Sequence, residues 1–129
     1  MSTDTDSDDC PASDADIDRF AMTLKSVFMT EQWMGSHVYK VGDTDTFKMF
    51  AILNPGKQQL TVKTASRDMA DMLIAAGVAQ RHTHMPRGSW VMLLLDKLEA
   101  EDVRDRIADS YDLVVQALTK SARKKFGLD

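Results

Sequence analysis

Residues 89–96, Ser-Trp-Val-Met-Leu-Leu-Leu-Asp, are apolar at successive positions, as a strand buried on both faces requires. They lead into a segment, 99–125, that opens with acids. It then repeats Val103, Ile107, Tyr111, Val114 and Leu118 at steps of four, four, three and four. That spacing lays one apolar stripe along a helix. Glu99, Glu101 and Asp102 stand in its first turn, and Lys120, Arg123, Lys124 and Lys125 in its last. Both ends therefore match the helix dipole. A strand that needs cover, followed by a helix with one apolar face, commits the chain to a sheet with helices packed on it.

The rest of the chain fits the same plan. Ile17, Phe20, Ala21, Leu24, Val27 and Phe28 recur at helical spacing and predict a first helix from Asp16 to about Thr30, capped by Asp14 or Asp16. Residues 37–41 then read as a strand, 42–45 as a turn, and 47–53 as a second strand, apolar on both faces. Asn54-Pro55-Gly56-Lys57 is a strong turn signal, and 59–64 a third strand. Ser66 caps a short helix ending at Gly77. Residues 78–84 suggest a short edge strand, 85–88 a loop, and Trp90 the anchor of the core. Strands joined by short turns pair antiparallel. The expected fold is α+β: one domain over 14–129, a two-layer antiparallel sheet with helices, in the order α-β-β-β-α-β-β-α.

Charge is placed unevenly. Residues 1–18 hold seven of the 20 acids and no base, which leaves 13 acids against 16 bases beyond them. Residues 1–13 have almost nothing apolar and read as an acidic, disordered leader. Asp4, Asp6 and Asp8 have the opening spacing of a calcium loop, but Asp9 and Ala15 stand where glycine and glutamate are needed. The one cysteine, Cys10, rules out a disulfide framework within the chain and fits a cytoplasmic location. No apolar run nears the ~18 residues of a membrane helix, and the N-terminus lacks a signal-peptide pattern.

Several strings, in order, resemble the MmcQ/YjbR-like family of small bacterial proteins. They are Val38-Tyr39-Lys40-Val41, Lys48-Met49-Phe50-Ala51, Leu60-Thr61-Val62-Lys63, Ser66 to Leu73, Ser89-Trp90-Val91, and Ser110-Tyr111-Asp112-Leu113-Val114-Val115. The resemblance covers roughly 31–126. The chain departs from the family pattern at Thr46-Phe47 and at Pro86-Arg87-Gly88-Ser89, and it lacks the cysteine and Pro-Gly near the first helix. The resemblance implies a DNA-binding module of double-wing type.

That role needs cations that reach phosphates. Two loops serve as candidate wings. One spans 54–59 and carries Lys57, flanked by Lys48 and Lys63. The other spans 81–89 and carries Arg81, His82, His84 and Arg87. Lys120 to Lys125 reads first as a helix end. His82 and His84 with His37 do not complete a metal-ligand set, no cofactor motif is present, and neither Ser36 nor Ser110 sits in a nucleophile elbow. The expectation is a non-enzymatic module that binds duplex DNA, monomeric or weakly dimeric. The alternative is a protein-interaction adaptor that uses an open sheet face or the methionine-rich edge with Met29, Met34 and Met85.

Overall fold

The computed structural model describes residues 12–32, 34–82 and 88–128. The expected leader lies outside them up to residue 11. Ala12 is buried and Ser13 caps the first helix.

Helix α1 spans Asp14–Thr23. The Ser13 hydroxyl accepts the Asp16 N–H, and the Asp16 carboxylate accepts the Ser13 N–H, which satisfies two orphan donors at once. Ile17 and Ala21 are buried. The helix ends seven residues before the expected Thr30. Ser26 takes a left-handed backbone conformation (φ 62°), and Val27–Gln32 then forms a strand, β1. Val27 and Phe28 are β-branched and aromatic, so they suit an extended chain as readily as a helical stripe.

Strands β2 (Ser36–Gly42), β3 (Phe47–Asn54) and β4 (Gln59–Lys63) follow, then α2 (Arg67–Ala75), β5 (Ala79–Arg81) and β6 (Trp90–Leu94). A short turn of 3-10 helix leads into α3 (Ala100–Ala117) and α4 (Lys120–Lys125). The expected single last helix is two, because Leu118 is extended and Thr119 caps a fresh start at Ala122 N–H. All strand pairs are antiparallel, in the order β1-β2-β3-β4-β6-β5. The architecture is the expected α+β one. No described helix is long and apolar enough to cross a membrane.

The core lies between the sheet and the helices. Tyr39, Phe50, Leu53, Leu60, Val62, Val91 and Leu93 meet Ile17, Ala21, Ala70, Val103, Ile107 and Val114 there. The Phe50 ring stands edge-on to Tyr111 at 5.4 Å. Val38, Ile52 and Thr61 are buried but belong to the opposite face, which no described helix covers. Ile52 thus turns away from the helices, and Phe50, Val91 and Leu93 turn toward them. Trp90 is half-buried on the face turned away from the helices, opposite Lys63. It is therefore not the core anchor that the sequence suggested. Its alternation partners Met92 and Leu94 are also only half-buried.

One polar side chain joins helix and sheet. Between Tyr39 and Lys40 the β2–β3 register slips, and Phe50 is the extra residue. The β3–β4 pairing stops just there, at Ala51 and Val62. The fully buried Ser110 of α3 fills the break. Its hydroxyl donates to the Phe50 carbonyl at 2.6 Å and accepts the Lys63 N–H at 2.9 Å. It thus replaces the ladder bond that the bulge removes. Replacing Ser110 with alanine leaves a buried donor and a buried acceptor unpaired. We expect a loss of about 1–3 kcal/mol, measured by urea denaturation. An unchanged midpoint would show that the strands close the gap themselves.

Candidate functional site

The strands give the sheet two unlike ends. At one end lie the start of α1, the 55–58 turn and the start of α3. At the other lie the 24–26 and 43–46 turns, the C-terminal end of β4, the start of β6, and α4. The order follows from register: Gln59 faces Leu94 at the first end, and Lys63 faces Trp90 at the second.

Acids gather at the first end. Asp14, Asp16 and Asp18 stand in α1, Asp96 in the 3-10 turn, and Glu99, Glu101 and Asp102 at the start of α3. Asp14 accepts the Gly56 N–H at 2.9 Å and so ties the 55–58 turn to the acidic helix start. Asp18 accepts the Tyr39 hydroxyl and lies 3.1 Å from His37 Nδ1, which ties α1 to β2.

Cations gather at the second end. Lys120, Arg123, Lys124 and Lys125 lie within six residues, and Lys120, Lys124 and Lys125 with Ser121 line a shallow groove of about 490 Å³. Lys25 belongs to the same end. Its neighbour Ser26 donates to the Phe126 carbonyl at 3.1 Å, and its own carbonyl accepts the Tyr111 hydroxyl at 2.6 Å. Burial of the Tyr111 ring, with Asp112 as a lesser cause, raises its phenol above the usual range. Arg123 caps α3 through the Gln116 and Leu118 carbonyls. Lys25, Lys120 and Lys124 have no carboxylate partner among the described residues.

The expected binding residues divide between the ends. Lys48 and Lys63 stand at the basic end, Lys48 exposed on β3 and Lys63 half-buried on β4. Arg81 closes β5 at the same end, where its guanidinium pairs with Asp71 of α2, and His82 follows half-buried. Lys57 is exposed at the acidic end, in the turn before β4, and Lys63 closes β4 about 13 Å beyond Gln59 at the rise of an extended chain. His84 and Arg87 lie outside the described residues, as does Met85.

One cation of the basic end carried no signal in the sequence. Lys40 is only 8% exposed. Its ammonium sits 4.5 Å from the Phe47 ring centre and 6.0 Å from that of Phe28, and the two rings meet edge-on at 6.0 Å. It has no carboxylate partner among the described residues, so ring faces supply the counter-field. The pairing of Phe28 with Lys40 was hidden once Phe28 was assigned to a helix. Alternation alone, with Lys40 out of phase with Tyr39 and Val41, would have placed Lys40 on the outer face.

A family model described as YjbR matches residues 22–113. No curated protein matches. The fold is similar to the crystal structure of the Deinococcus radiodurans protein DR2400, of domain DUF419. The TM-score is 0.80 and the identity 24%, over 91% of this chain and 89% of that one.

The link between the basic helix and the sheet is set by Asp43. Gly42, with φ 126°, leaves no room for a side chain against the Thr46 carbonyl, and the tight turn that results aims Asp43 inward. The Asp43 carboxylate accepts the N–H groups of Thr46 and Asp45 at 2.8 and 2.9 Å and pairs with Lys125 at 3.2 Å. The Thr46 bond first, then that of Asp45, holds its carboxyl below the usual aspartate range. The folded-state value is depressed. The stabilisation is therefore complete above the ordinary value near ~3.9 and is lost as pH falls through the lower folded one. A carboxyl NMR titration should place Asp43 below that ordinary value. A midpoint at or above it would mean that the turn does not hold its two backbone bonds to Asp43 in solution.

Proposed function

The chain belongs to the YjbR family, and on that footing we propose that it is a binding module for duplex DNA, without sequence preference and without catalysis. The observation that carries this reading is the separation of charge along the strands. A phosphate backbone is attracted by an end where Lys25, Lys48, Lys63, Lys120 and Lys124 outnumber Asp43 and Asp45, and repelled by one where Asp14, Asp16, Glu99, Glu101 and Asp102 outnumber Lys57 and Lys97. The field therefore orients the protein on the polymer as well as attracting it. Contacts of this kind go to phosphate oxygens and carry no base identity. The wing at 54–59 drops out of this reading, because its turn is bonded to an acidic helix start. Arg81 and His82 stay in this reading, as β5 ends at the basic end. The protein-interaction alternative rests on a different feature, the exposed methionines Met29 and Met34.

Fluorescence anisotropy of duplex DNA at several salt concentrations tests the proposal. Affinity should fall steeply with salt, with ~0.9 counterion released per neutralised phosphate. Replacing Lys120 and Lys124 together with alanine should weaken binding and flatten the slope. Lys57→Ala should change neither. Removing residues 1–11, with Asp4, Asp6, Asp8 and Asp9, should tighten binding most at low salt, where screening is weakest. Absence of binding by the shortened protein at low salt would end the proposal. A loss through Lys57→Ala equal to that of the double variant would move the site to the other end.

A further inference from the structure

Strand β1 is one edge of the sheet, and it carries none of the usual protection. It has no proline and no lysine, and its sole charge is Glu31. Edges of that kind are templates for another strand. The opposite edge, β5, is only three residues long.

Exposed apolar side chains collect around the same strand. Five large ones are exposed among the described residues, and four of them border β1. Met22 (48% exposed) is in the last turn of α1, and Met29 (36%) is at mid-strand. Phe47 (43%) lies against Phe28, and Met34 is fully exposed at the hairpin tip. Met34 also holds a left-handed backbone (φ 62°). A side chain other than glycine rarely adopts that conformation.

The ladder phase fixes which backbone groups are free. The Ser26 carbonyl accepts the Gly42 N–H at 2.9 Å, so even-numbered residues of β1 bond toward β2. Val27, Met29 and Glu31 turn their N–H and C=O groups outward.

We infer that β1 pairs antiparallel with the β1 of a second copy of this chain, about a two-fold axis through Met29. Centred there, Met29 exchanges both bonds with the partner's Met29, Val27 with the partner's Glu31, and Glu31 with the partner's Val27. Every outward group is used, and both helix layers stay on one side. Centring on Thr30 would leave Val27 without its bonds, and centring between residues would put the helix layers on opposite sides. The same antiparallel match brings the Met34 end of one copy beside the partner's Met22 and closes both exposed methionines together. It also sets Glu31 near the turn that carries the partner's Lys25, opposite in charge. The interface is isologous, with the same patch on both sides, and it does not depend on the nucleic-acid reading.

Sedimentation velocity of the full chain over a wide concentration range tests the pairing. We expect a reversible dimer, and its loss in Met29→Lys, a surface change that keeps the monomer's thermal midpoint. A parent that stays monomeric at every concentration, or a dimer that survives Met29→Lys, would overturn the inference. Register is read by oxidation in a Cys10→Ser background. Met29→Cys should form a disulfide-linked dimer, because directly opposed residues stand about 5.5 Å apart. Glu31→Cys alone should not, because its copies are offset by four residues. Equal cross-linking of both variants would show contact without this register.

Discussion

The hydroxyl of Ser110 holds the two layers in their relation to each other. At the bulge between Tyr39 and Lys40 the sheet loses a ladder bond at its most buried point, next to Phe50. A gap there would cost the full desolvation of a carbonyl and an amide. The helix supplies the missing donor and acceptor from a single atom, so α3 can lie in only one position along the strands. Tyr111, the next residue, then reaches the Lys25 carbonyl and meets Phe50 edge-on. Through these two neighbours the α1–β1 turn, the bulge and the long helix are fixed together.

That fixed position decides where charge appears. Helix α3 runs from the acidic end of the sheet to the basic one, and α4 continues past it. The acids that suit a helix start and the bases that suit a helix end are therefore carried to opposite poles of the molecule. Each group has an ordinary local reason to be where it is. The field across the domain is a consequence of direction: α1 and α3 both start at the same end.

The sequence made the core strands and the two-layer plan legible, because Phe50, Leu60, Val91 and Leu93 show the burial pattern of a sheet and Val103 to Val114 that of a helix. The failures have specific causes. Val27 and Phe28 fit a helical stripe by spacing, and only the backbone of Ser26 decides for a strand. Trp90 looked like core because size and burial usually go together, yet its parity puts it with Met92 on the face turned away from the helices. Lys57 and Lys63 looked like one site because they are six residues apart. In a hairpin that separation carries them to opposite ends of the sheet. The contacts of Lys40 were not legible because its ring partners, Phe28 and Phe47, belong to two other strands.

Lys40 has a further use, as a reporter on the sheet itself. Every other described lysine is at least partly exposed, so an amine-directed reagent meets Lys40 last. Its reaction requires the Phe47 and Phe28 rings, which flank it from β3 and β1, to move aside. The labelling rate at this one position therefore measures how often those two rings leave the ammonium, a local opening that needs no unfolding of the domain.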